Sequence, residues 1–368
     1  MTEPADYCPP EENIDLAMFP STRYQGSKRK IIPWLHEVFS TVDFDSALDL
    51  FGGSGSVSYL LKRMGKQVTY NDLLHCNYVM AVALIENDSV RLEHSFRIMG
   101  PPSSDAGRYC FIRRAFKGFY FTDYENAWID RAVSTLDRLA DSTLLAVYRR
   151  AIGYYALFQA CLVKRPFNLF HRKNLYLRTA TVHRSFGNKT TWDTPIGKMF
   201  RRFAREANES VFTGKRPCRA QNYDAQDFPH TGYDLVYFDT PYVSRRMKIE
   251  SADYLKNYHF IEGLSRYHEW PSAVDYQSYI RALKRSRSNP FASPQTNRAA
   301  LRALFEQFEN SKFVISYKRF GTPSLSWFTR ELRRLGKRVN YHTRHYKYAL
   351  NNQNGDAARN REIIIVAQ

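Results

Sequence analysis

Asp239, Thr240, Pro241 and Tyr242 set an acid, a backbone carbonyl and an aromatic ring side by side directly after the apolar run Leu235 to Phe238. That grouping suits an exocyclic amine on a nucleobase. Such an amine is a poor nucleophile, because its lone pair is delocalised into the ring. Two acceptors on its N–H groups, the Asp239 carboxylate and the carbonyl of residue 240, would pull the nitrogen towards tetrahedral geometry and localise that pair. Tyr242 would stack on the base. For these four residues alone, a strand-end turn with an incidental tyrosine is the simpler account.

A second chemical feature lies far upstream. "FGGSGS" (51–56) follows one apolar run and opens a helical one, so its backbone N–H groups and the helix dipole could meet a ligand. The dinucleotide pattern GxGxxG would need glycine where Ser58 stands, which weakens a nicotinamide reading. Asp72 closes the next apolar run, where an acid accepts hydrogen bonds from a ribose diol or caps the helix that follows. Loop and acid together favour an adenosine-containing ligand.

These residues need strands and helices to hold them. Ala47 to Phe51 and Lys66 to Tyr70 read as strands on either side of a helix from Ser56 to Arg63, one unit of a doubly wound parallel sheet. Leu235 to Phe238, "KFVISYKRF" and "REIIIVAQ" supply further strands. Residues near 85–160 have helical spacing, and 161–205 are basic, aromatic and rich in turn formers. That length exceeds what linking two sheet strands requires. The expected organisation is a discontinuous domain, 1–85 with 215–368, and an inserted domain, 86–214. "LKRSRSNPFASPQTNR" (283–298) reads as a mobile basic loop.

Composition narrows the partners. The chain has 368 residues, 43% of them hydrophobic, and 54 Lys and Arg against 36 Asp and Glu, a formal charge of +18. The hydrophobic share is ample for a core, and the charge favours a polyanion, nucleic acid first. No apolar run reaches the roughly 20 residues of a membrane span. Five scattered cysteines make no CxxC pair, which argues against zinc and against a disulfide framework. A cytoplasmic location is expected.

"FGGSG" followed by "FDTPY" resembles the N6-adenine DNA methyltransferases, whose motifs are FxGxG and DPPY. "RYQGSK" (23–28) is similar to that family's KWxGGK, with Arg23 for Lys, Tyr24 for Trp and Ser27 for the second Gly. The order of motifs is that of the alpha group, the Dam-like enzymes. The resemblance implies a Rossmann-like α/β methyltransferase domain, doubly wound, with an inserted, mainly helical target-recognition domain. It implies S-adenosyl-L-methionine as cofactor, no metal, and N6 methylation of an adenine flipped from double-stranded DNA. It leaves room for a cognate restriction endonuclease as partner.

Carried over by position, Tyr24, Gly26 and Lys28 would border the cofactor and active site. Phe51, Gly53 and Gly55 would shape the cofactor loop, Asp72 would hold the ribose, and Tyr223 and Asp224 would contact the adenine. Asp239, Thr240, Pro241 and Tyr242 would be catalytic, with Asp239 also at the cofactor. Thr240 stands where the family usually has proline. In "KRPFNLFHRKNLYLR", which could form a hairpin, Lys164, Arg165, Arg172, Lys173 and Arg178 are candidate DNA contacts, and a solvated basic face is the plainer alternative. Cytosine N4 or RNA as substrate is disfavoured by Asp239, where the cytosine-N4 enzymes more often carry Ser. A DNA-binding relative without catalysis is disfavoured by the intact Asp239 and Tyr242.

Overall fold

The strands in chain order are β1 (Ser46–Asp49), β2 (Gln67–Asn71), β3 (Arg219–Gln221), β4 (Leu235–Phe238), β5 (Val243–Ser244), β6 (Lys312–Lys318), β7 (Gly321–Thr322), β8 (Val339–His345) and β9 (Arg361–Ala367). The structure is a computed structural model that describes residues 19–21, 23–98, 109–139, 141–180, 189–240, 243–244, 253–285, 287–318, 321–345 and 361–368. One seven-stranded sheet has the order β3-β2-β1-β4-β6-β9-β8, and β5 pairs with β7 separately. Strands β3, β2, β1, β4 and β6 run parallel, while β9 is antiparallel to both β6 and β8. This is a mixed α/β architecture with a mainly parallel sheet.

The parallel strands are short and apolar because helices cover both faces. β1 and β4 carry residues such as Leu48, Leu235 and Val236 with no exposed surface. From β1 the chain steps outward to β2 and β3, then returns to β4 on the other side of β1. The connections therefore diverge above the carboxyl ends of β1 and β4, leaving the crevice in which open α/β sheets bind ligands. The antiparallel sense of β9 has a local result: its first residues, including Glu362, arrive at that same end of the sheet, opposite Lys318 of β6.

The helix Ser56–Arg63 has the bounds expected of it, but the first strand stops two residues early, at Asp49. The backbone turns at Leu50 to enter the glycine loop. Between 86 and 214 the long helices are Asp123–Asp137, Leu144–Val163 and Ile196–Ser210. Their apolar faces, with Trp128, Phe158 and Phe200, belong to the same buried cluster as Val68 and Tyr237 of the sheet. The core is thus continuous across positions 86 and 214. Among the described residues no helix is long and apolar enough to cross a membrane. The described cysteines, Cys76, Cys110, Cys161 and Cys218, are buried and free.

Candidate active site

A cavity of about 510 Å³ opens at the carboxyl ends of β1 and β4, within the range of roughly 300–1,000 Å³ common for small-molecule sites. The residues singled out for cofactor contact, Tyr24, Gly26, Lys28, Phe51, Gly53, Asp72, Tyr223, Asp224 and Asp239, all line it. Gly55 does not. It adopts φ +71° at the start of the helix Ser56–Arg63, a left-handed backbone that favours glycine. Pro241 and Tyr242 lie outside the described residues.

The glycine loop is held tightly from below. A Cβ on Gly52 would stand 2.1 Å from the Tyr70 ring, so only glycine fits there. The Tyr70 hydroxyl donates to the Gly53 carbonyl at 2.8 Å. Asp72 then fixes the loop from β2: its Oδ2 accepts from Gly53 N at 2.8 Å, and its Oδ1 accepts from Leu74 N at 2.8 Å and Asn77 Nδ2 at 3.1 Å. The acid thus braces the loop and caps the next turn together. Of about four acceptor positions on a carboxylate, one on Oδ2 remains for a hydroxyl in the cavity. Burial raises the Asp72 pKa, against the lowering by these three donors.

Asp49, at the end of β1, is a cavity residue that the sequence reading passed over. It is 1% exposed. Ser58 Oγ donates to its Oδ2 at 2.7 Å, and its Oδ1 has no hydrogen-bond partner among the described residues. Burial pushes its pKa up to about 7, against the Ser58 hydrogen bond. An acid closing a strand just ahead of a glycine loop was the available signal. Ser58, which spoils a dinucleotide pattern, has its own use as the donor to Asp49.

Tyr24 stacks on Tyr258, with ring centroids 4.6 Å apart, and accepts from Asn77 Nδ2 at 3.1 Å. Part of the expected basic loop contributes to the cavity wall, where Pro290 and Phe291 stand. Phe291 meets Phe51 edge-on at 5.2 Å. Tyr223 is held by Asn71, whose Oδ1 accepts from Tyr223 N at 2.9 Å, and Asp224 caps the turn Ala225–Asp227.

Asp239 follows β4 and faces Lys28 across the cavity floor, Nζ to Oδ1 3.0 Å. Its side chain keeps 21% exposure, enough for a ligand to reach it. Burial raises the Asp239 pKa to about 6, with Lys28 acting against the rise. Thr240 is 3% exposed. A carboxylate and a backbone carbonyl at the end of one strand, beside a glycine-loop cavity, can together accept two hydrogen bonds from one amine.

The basic segment behaves differently from expectation. Residues 164–180 form no hairpin but a 3-10 turn, Pro166–Asn168, and a short helix, Tyr176–Thr179. Lys164, Arg165 and Arg178 are buried and serve the fold. Lys164 Nζ pairs with Glu125 Oε1 at 3.1 Å, and Arg178 Nη2 meets both Glu125 oxygens at 2.7 and 2.9 Å. Burial raises the Glu125 pKa, but Arg178 and Lys164 bring it below the usual range. Arg165 donates to the carbonyls of Leu169, Tyr120 and Arg172. None of these three is placed to meet a phosphate. Arg172 is exposed, and Lys173 Nζ stands 3.6 Å from the Phe119 ring centre and 4.4 Å from that of Tyr279. Among the described residues no cluster of three or more His, Cys, Asp or Glu side chains is arranged to hold a metal ion.

Residues 24–328 match the family model described as D12 class N6 adenine-specific DNA methyltransferase. The Type II methyltransferase M2.HphI of Haemophilus parahaemolyticus is 25% identical over 332 residues, which cover 87% of this chain and 90% of that protein. Modification methylase StsI of Streptococcus sanguinis is 26% identical over 317 residues, 81% of this chain and 44% of its own length. The Type II methyltransferase M.FokI of Planomicrobium okeanokoites is 25% identical over 267 residues, 67% of this chain and 37% of its own. The chain belongs to the D12 class of N6 adenine-specific DNA methyltransferases.

Proposed function

We propose that this D12-class enzyme takes its methyl group from S-adenosylmethionine and acts on an adenine rotated out of duplex DNA, with Asp239 and the carbonyl of residue 240 accepting hydrogen bonds from N6. The observation that carries this reading is one cavity lined both by the braced glycine loop and by Asp239. Rotation is needed because N6 cannot meet a methyl donor inside the base stack.

The cavity fits the cofactor chemically. Its ammonium would satisfy the orphan Oδ1 of Asp49, its ribose the free acceptor of Asp72, and its adenine the surface between Phe51, Tyr223 and Phe291. Bound there, S-adenosylmethionine supplies an electrophilic methyl. Asp239 orients the amine and localises its lone pair, Lys28 fixes the Asp239 carboxylate, and Tyr242 stacks on the base. Incubation with S-adenosylmethionine and genomic DNA, followed by single-base mapping, should find N6-methyladenine in one short sequence context. Methylation of cytosine N4, or no methylation, would overturn the reading.

Thr240→Pro should keep single-turnover methylation within about tenfold, or about 1.4 kcal/mol. The carbonyl survives, and Pro241 already confines residue 240 to extended backbone. A dead variant would show that the Thr240 hydroxyl takes part.

For DNA, residues 86–214 are proposed as the target-recognition region, with Arg172 and Lys173 binding its phosphates. They adjoin a loop closed by the Val274–Leu283 bridge, on which Tyr276 and Tyr279 are exposed. Arg281 of that loop lies 4.9 Å from the Phe119 ring, so both segments share one cationic, aromatic surface. Affinity should fall log-linearly with salt, and Arg172→Ala with Lys173→Ala should reduce the slope by about 0.9 for each phosphate no longer neutralised. Lys164→Ala should lower thermal stability and leave the slope alone. An unchanged slope in the double variant would place the DNA elsewhere. The names of the relatives, which include type II methyltransferases and a modification methylase, support a restriction endonuclease as partner.

A further inference from the structure

Two carboxylates share one ammonium at the floor of the cavity. Lys28 Nζ is 3.0 Å from Asp239 Oδ1 and 2.9 Å from Glu362 Oε1. Ser316 Oγ donates to that same Oε1 at 2.8 Å. Lys28 and Asp239 line the cavity, whereas Glu362, 2% exposed, stands behind Lys28 and does not reach it. Asp239 and Glu362 thus compete for the Lys28 ammonium, with Lys318 of β6 also acting on Glu362, in a place where buried charge is costly. A proton taken up on either carboxylate would end that competition.

The reaction releases such a proton. When N6 gains a methyl group it becomes positively charged and must lose one of its hydrogens. We propose that Glu362 is a positioning residue for methyl transfer: by holding part of the Lys28 ammonium, it leaves Asp239 free to take the proton that N6 gives up. In that step the N6–H bond breaks, its electron pair stays on nitrogen, and an O–H bond forms on Asp239. Lys28 then stays paired to Glu362, and the proton leaves Asp239 through its exposed side. The inference rests on Asp239 facing the target amine, as proposed above.

The surrounding charges agree with this assignment. Burial raises the Asp239 pKa to about 6, Lys28 lowers it, and Glu362 raises it again. Asp49 from β1 and Tyr237 from β4 also face Asp239, and Lys318 of β6 acts on Glu362. None of these stands between Lys28 and Glu362.

The test is the pH profile of single-turnover methylation in wild type, Glu362→Gln and Ser316→Ala, together with a 13C titration of the Asp239 carboxyl in the DNA-free protein. The wild-type rate should rise as pH passes through about 6. Glu362→Gln gives Lys28 wholly to Asp239, so both midpoints should move at least about one pH unit lower, and the plateau rate should fall while DNA affinity holds. Ser316→Ala, which removes a hydrogen bond from Glu362 and leaves both carboxylates in place, should move the midpoints slightly upward, and it serves if Glu362→Gln does not fold. Unmoved midpoints, or shifts of the opposite sign, would overturn the role of Glu362. Full activity in Asp239→Ala would instead overturn the reading of Asp239 on which it rests.

Discussion

Asp239→Ala is expected to lower single-turnover methylation by about 10²–10⁴-fold, the range for a positioned group that accepts a proton, while cofactor and duplex DNA still bind. The loss should be confined to turnover, because in the proposed mechanism Asp239 would meet the amine most strongly once positive charge has developed on nitrogen. The variant should also fold. Removing Asp239 leaves Lys28 with Glu362, 2.9 Å away, so no buried charge is stranded. This distinguishes Asp239 from Glu125, whose loss would leave Lys164 and Arg178 without their shared acid. The measurements are single-turnover methylation at a mapped site, calorimetry with S-adenosylmethionine, and DNA binding. Methylation at the wild-type rate would sink the mechanism.

The parts of the fold that were legible in sequence are those buried on both sides. β4 and β9 are nearly unbroken apolar runs because helices or neighbouring strands cover them, and the apolar pattern places both. β8, "VNYHTRH", escaped notice because it is an edge strand with polar residues, paired only with β9. β3 has three residues and no periodicity to read. In the site, Asp72 and Asp239 were readable as acids closing apolar runs, whereas Asp49 was not, because a strand read as running to Phe51 puts it in mid-strand and not at the end where β1 stops.

What could not be read were pairings made across the chain. Nothing local marks Lys164 or Arg178 as buried. Their partner Glu125 lies 53 residues before Arg178, at the start of another helix. A run of cations next to aromatics looks like a nucleic-acid surface unless the compensating acid is known. Glu362 is the same case on a longer scale, 334 residues from Lys28. Only the antiparallel return of β9 brings them together.

Asp49→Asn should weaken S-adenosylmethionine binding by about 1.5–3 kcal/mol, roughly 10- to 150-fold, the worth of a hydrogen bond to a charged group. The unliganded variant should be no less stable than wild type, since asparagine can still accept from Ser58 and carries no charge to desolvate. The pH dependence supplies an independent check. Burial raises the Asp49 pKa to about 7, so the free protein holds this carboxyl largely protonated below that pH. An ammonium beside it favours the carboxylate and lowers its pKa in the complex. Binding must then release a proton at and below neutral pH, and wild-type affinity must fall as pH drops through about 7. In Asp49→Asn this part of the pH dependence should vanish along with the proton release. Calorimetry in two buffers of different ionisation enthalpy measures both quantities at once. Equal affinity in the variant, or a wild-type affinity that does not change between about pH 6 and 8, would remove Asp49 from the cofactor site.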